Sequence, residues 1–246
     1  MLTRATPLLL PVVDLRKWDG PIKNQNSLGS CTGHAFAETG EHIFRKYYGK
    51  QPIFSPLYTY ALELIADGNF PNDAGSDGTT GCEVVVANGY CEDALYPDAG
   101  QNIITPTAAM NANAALWRLT GLGGNGAYHG LTGSQVALSV LGDPVPWPVC
   151  MGFTVMASFE SATVAETGVY LPQPDEQMVG GHEVKASGYD IGTMATLRPF
   201  NCPPAVLFQN SWGADWGLNG YFWCPLSVLD DPNSDLKIIH SGGIWK

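Results

Sequence analysis

The chain has 246 residues, 45% of them apolar and 14% charged, which suits one large domain or two small ones and excludes a disordered chain. Its net charge of −11, with Lys and Arg nowhere clustered, argues against nucleic acid as a partner, since a phosphate backbone needs a basic face. No stretch holds the roughly 20 apolar residues of a membrane span, so no membrane partner is expected. The first residues carry one positive charge and a short apolar run broken by Pro7 and Pro11, which is too little for a secretory signal. Localisation stays open.

In chain order, the first half reads as helical. Residues 31–48 place Phe36, Ile43, Phe44 and Tyr47 on one stripe, and Gly49 stops the helix. Ser55-Pro56 is an N-cap with proline at the first helical position, opening a helix that ends near Gly68. Thr80 with Glu83 reads as a capping box for a helix that Gly89 ends, and Thr105-Pro106 opens a further run through Trp117. Beyond a short helix at 134–141, the runs 148–156, 183–189, 205–210 and 220–224 read as strands. Helices first and strands later predict an α+β fold. The division expected is a helical unit at 20–115 and a β-rich unit made of 1–19 and 116–246.

Gly121-Leu-Gly123-Gly-Asn-Gly126 matches a dinucleotide-binding glycine pattern but follows a helical stretch rather than a strand, so it reads as a loop. The six cysteines and five histidines show neither CxxC nor HExxH spacing, and neither a metal nor a cofactor is expected. Most of the cysteines read as buried thiols. Two disulfides are open alternatives, Cys202 with Cys224 across a hairpin and Cys82 with Cys91 around a short helix.

Three separated segments carry a coherent chemistry. Gln25-Asn-Ser-Leu-Gly-Ser30-Cys31 puts a cysteine on the first turn of a helix, whose partial positive charge favours the thiolate. Gly180-Gly181-His182-Glu183 brings a histidine onto a strand, and Gln209-Asn210-Ser-Trp212-Gly213 adds an amide beside an indole. Together these segments resemble the papain-like cysteine peptidases, whose signature places His and Asn well downstream of the nucleophile. His182 lies 151 residues after Cys31 and Asn210 lies 179 after it, the second gap suggesting an inserted loop at 192–204. The resemblance runs from Asp14 to Trp223, and Asp77-Gly78-Thr79-Thr80 through Leu95-Tyr96-Pro97 is closest to bacterial and viral branches.

The resemblance implies an α+β papain-like fold, a helical domain facing a β-barrel-like one across the active cleft. It also implies a thiol-dependent endopeptidase acting on polypeptide substrate. Cys31 matches the nucleophile, His182 its base in a thiolate–imidazolium pair, Asn210 the residue orienting the imidazole, and Gln25 the oxyanion donor. Gly78, Thr79, Gly181, Glu183 and Trp212 match substrate-binding positions. Three departures stand out. Leu28 replaces a family cysteine, Thr32 replaces an aromatic residue, and so few residues precede Asp14 that no inhibitory propeptide is expected. Two rival readings are a structural or binding module of a larger assembly and a cell-wall peptide amidase using the same thiol. Glu183 is unusual after the base, and a pair with Lys185 on the same strand face is the plain expectation, against a place in the cleft.

Overall fold

The computed structural model describes residues 9–119, 126–143, 146–192 and 197–241. Helix α1 (Cys31–Tyr48) is buried from Thr32 to Phe44, because α2 (Pro56–Ala66), α3 (Gly78–Asn88) and the sheet surround it. Gly33 permits the closest crossing: a Cβ there would lie 2.6 Å from the Pro56 carbonyl oxygen. Gly49 ends α1 in the left-handed region at φ 61°, returning its N–H to the Phe44 carbonyl. Ser55 caps α2 as expected, its hydroxyl accepting the Tyr58 N–H at 3.1 Å.

The α3 cap differs from the expected one. Asp77, not Thr80, starts the helix, accepting the Thr79 and Thr80 N–H groups, so the Thr80–Glu83 box does not form. Likewise α4 (Ala108–Leu116) begins two residues beyond Pro106, capped by Thr107. The glycine-rich loop falls largely at 120–125, outside the described residues, as do 193–196 of the expected insertion.

The second half, with one strand from near the start of the chain, builds one antiparallel sheet. It contains β1 (Val12–Asp14), β2 (Gly126–Leu131), β3 (Cys150–Met156), β4 (Met178–Asp190), β5 (Ala205–Gln209), β6 (Tyr221–Pro225) and β7 (Asp235–Ser241). The order is β2-β7-β3-β4-β5-β6, with β1 also on β4. Three short helices, α5 (Gly133–Leu141), α6 (Ala162–Thr167) and α7 (Leu226–Leu229), sit between strands. Strands β1, β2 and β7 were not among the expected elements, and β4 starts five residues earlier than its apolar run. All six cysteines are free, so neither of the two possible bridges forms. Phe36, Ile43 and Phe44 of α1 share one core with Val149, Phe153, Val184, Phe208 and Phe222 of the sheet.

Buried charge fixes the segment leading to Cys31. Asp19 accepts hydrogen bonds from Lys185 Nζ, from the Ser187 hydroxyl at 2.6 Å, from the Tyr221 hydroxyl at 3.1 Å and from His42 Nδ1 at 2.7 Å. Burial alone would raise this carboxyl, but Lys185 and His42 beside it hold it down at about 2. Lys23 pairs with Glu41 at 2.8 Å and donates to the Phe54 carbonyl, anchoring the chain two residues before Gln25. Asp19→Ala is expected to destabilise the protein by about 3–5 kcal/mol, because it leaves the Lys185 ammonium buried without its partner. Urea unfolding checks this: a fall in midpoint at constant slope is expected, and a loss under about 1 kcal/mol contradicts it.

Candidate active site

Cys31 is the first residue of α1 and the one cysteine that is partly exposed, the other five being buried. It opens onto a cleft of about 710 Å³, whose lining includes Gln25, Gly78, Gly152, Gly181, His182, Glu183, Trp212 and Asp235. Helix α1 and the loop before it supply the first wall, the segment entering α3 the second, and strands β3, β4 and β7 the third. Asp73 ties two of these together, accepting the Gly29 N–H at 3.0 Å and the Tyr60 hydroxyl at 2.5 Å.

His182 stands on β4 with its Nε2 donating to Asn210 Oδ1 at 2.7 Å. Asn210 ends β5, and its Oδ1 also accepts the Ser211 N–H at 2.9 Å, which sets which end of the amide faces the imidazole. The bond is dry: Asn210 is fully buried and His182 is 6% exposed. The Trp212 ring lies 5.0 Å from the imidazole and the Phe159 ring 6.0 Å from it, centroid to centroid. With Nε2 engaged, Nδ1 is the nitrogen left to exchange a proton.

Gln25 is held at both ends of its amide. Its Oε1 accepts the Ser211 hydroxyl at 2.6 Å, and one N–H donates to the Leu28 carbonyl at 2.8 Å. The second N–H remains for the cleft. The Gln25 backbone N–H donates to the Ser211 carbonyl, so Ser211 braces both the amide and the chain that carries it.

Burial acts on both members of the ion pair that the resemblance implies. Burial pushes the Cys31 thiol up to about 11, against N–H groups of Glu183 and Thr32 that favour the thiolate. Burial also pushes the His182 imidazole down to about 4, against the Asn210 bond. Burial thus disfavours the charged form of each group, opposed by the two N–H donors at the thiol and by the Asn210 bond at the imidazole.

Thr79 is not among the cleft-lining residues; its N–H faces Asp77. The expected Glu183–Lys185 pair is absent: Lys185 turns to Asp19, while Glu183 faces the cleft. Ser211, Phe159 and Asp235 were not singled out from the sequence. The first adjoins Asn210 and was legible as a neighbour, whereas Asp235 sits on an unrecognised strand and gave no signal.

Among known proteins, residues 145–228 match the papain family cysteine proteases. The matched span holds His182 and Asn210, and Cys31 and Gln25 lie before it. The chain is 27% identical over 226 residues to an uncharacterized peptidase C1-like protein of Acanthamoeba polyphaga mimivirus, covering 88% of this chain and 68% of that protein. It is 28% identical over 218 residues to Cathepsin C of Schistosoma mansoni, covering 82% of this chain and spanning 43% of that relative's length. Xylellain, a cysteine protease from Xylella fastidiosa, superposes with a TM-score of 0.77 at 23% identity, covering 95% of this chain and 87% of that one. The α+β fold is therefore papain-like.

Proposed function

We propose that the protein is a thiol-dependent endopeptidase in which Cys31, His182, Asn210 and Gln25 form the catalytic set. The observation that carries this reading is the single cleft onto which the Cys31 thiol, the Asn210-bound His182 imidazole and the Gln25 amide all open. Substrate binding excludes water and brings thiol and imidazole together. The thiol proton passes to His182 Nδ1 as sulfur attacks the peptide carbonyl. The carbonyl electron pair moves onto oxygen, which the free N–H of Gln25 and the Cys31 backbone N–H receive. Collapse of this intermediate breaks the C–N bond, and Nδ1 returns its proton to the departing amine. A water molecule, deprotonated by Nδ1, then attacks the thioester and releases the acid and the thiol.

Asn210 and Trp212 act through the imidazole, one fixing its rotation and the other keeping water from that bond. The cleft is read as the seam between a helical unit at 20–115 and the rest of the chain. The comparisons favour neither the assembly-module reading nor the cell-wall amidase reading. Gln25→Ala is expected to lower kcat about 100- to 1000-fold with little change in KM, because its N–H meets the oxyanion and not the ground-state carbonyl. Steady-state kinetics on a fluorogenic peptide tests it. An unchanged kcat would remove Gln25 from the set.

A further inference from the structure

The cleft has a charge character that the four-residue set does not account for. Its lining includes five carboxyl side chains, Asp73, Asp77, Glu160, Glu183 and Asp235, and no Lys or Arg among the described residues. Two of the five converge. A Cβ on Gly78 would lie 3.2 Å from Asp235 Oδ2 and 3.3 Å from Glu183 Oε2, and one on Gly152 would lie 2.7 Å from the same Glu183 oxygen. Two bare glycines thus lie against a pair of carboxyls, one of which, Glu183, directly follows His182.

Glu183 is 4% exposed, and its Oε1 has no hydrogen-bond partner among the described residues. A buried carboxyl left without a partner is costly, and proteins place one where something else arrives to satisfy it. Lys237 is the cation at hand, but its Nζ is bonded to Asp235 Oδ1 at 2.6 Å, which leaves Asp235 Oδ2 and Glu183 facing the cleft. No group of three metal-ligating side chains occurs among the described residues, so the site suits an organic cation better than a metal ion.

We propose that Glu183 and Asp235 form a subsite that takes a lysine or arginine side chain of the polypeptide substrate, next to the scissile bond. This rests on the peptidase reading and adds a substrate class to it. A guanidinium fits best, because its planar fork meets two carboxylate oxygens at once. Burial holds the Glu183 carboxyl well above the usual carboxylate range, with Asp235, Glu63 and Asp77 adding to the rise and Lys237 opposing it. A docked cation opposes that rise and favours release of the carboxyl proton to solvent. Apolar side chains gain nothing from this wall, since they leave Oε1 unsatisfied.

The experiment uses peptides carrying Arg, Lys, Leu or Glu in turn at each of the three positions before the scissile bond. Wild-type, Glu183→Gln and Asp235→Asn proteins are compared by the ratio of kcat/KM for Arg over Leu. At one position the wild type should favour Arg by about 10- to 100-fold, the worth of a charge-assisted hydrogen bond, and Glu183→Gln should bring the ratio close to one. Asp235→Asn should lower it less, since that side chain is 43% exposed and shared with Lys237. Asp235→Asn also keeps the test alive should the Glu183→Gln substitution, made at a buried position, impair folding. The same Arg-over-Leu ratio is read as Kd on Cys31→Ala, where no chemistry intervenes. Arg selectivity in Kd without hydrolysis by the wild type would overturn the peptidase reading and leave the subsite standing. Equal Kd values for Arg and Leu peptides, or a ratio that both carboxyl variants retain, would overturn the subsite.

Discussion

Cys31→Ala should reduce kcat/KM for peptide hydrolysis by a factor on the order of 10⁴ to 10⁶, leaving only the rate that binding and the oxyanion donors sustain without a nucleophile. The loss is chemical rather than structural. Cys31 is partly exposed at the helix start and belongs to none of the hydrophobic core clusters, so its sulfur contributes little to packing. Circular dichroism and the urea midpoint should match the wild type. Turnover retained in that variant would move the chemistry elsewhere in the chain.

His182→Ala should be about as damaging, on the order of 10⁴-fold or more, for two separate reasons. In the proposed mechanism the imidazole accepts the proton of a thiol that burial pushes up, so removing it leaves the sulfur without its base. In the same mechanism it is also the acid that protonates the departing amine. Alkylation by iodoacetamide at pH 7 separates the two roles: the variant should label more slowly than the wild type, not merely turn over more slowly. Equal alkylation rates would show that His182 does not activate the thiol. Asn210→Ala should be milder than either, because it removes only the group that orients the ring.

The parts of the fold legible in the sequence were those set by local chemistry. Ser55-Pro56 and Gly49 act within five residues of themselves, so the end of α1 and the start of α2 followed from them. The α3 start was misplaced because Asp77 outcompetes Thr80: a carboxylate accepts two N–H groups at once. Strand β7 escaped because Ile238 and Ile239 are both buried, which breaks the two-residue period, and β2 because glycine and histidine interrupt it. Cys31, His182, Asn210 and Gln25 were readable as a group since they sit in three short motifs, and the structure opens three of them onto the cleft and buries the fourth behind His182. Lys185 illustrates what sequence spacing leaves out. Its same-face neighbour Glu183 was the expected partner, but the fold brings in Asp19 from the opposite end of the chain, and that pairing releases Glu183 to the cleft.

The central claim is that Cys31 is the reactive thiol of a peptidase, and a peptidyl thiol trap tests it most directly. Five of the six cysteines are buried, so intact-mass analysis followed by peptide mapping reads the outcome without ambiguity. One adduct per chain, located on Cys31 and formed in step with loss of hydrolysis, is the predicted result. An adduct on another cysteine, or hydrolysis that persists after Cys31 is fully labelled, would contradict it.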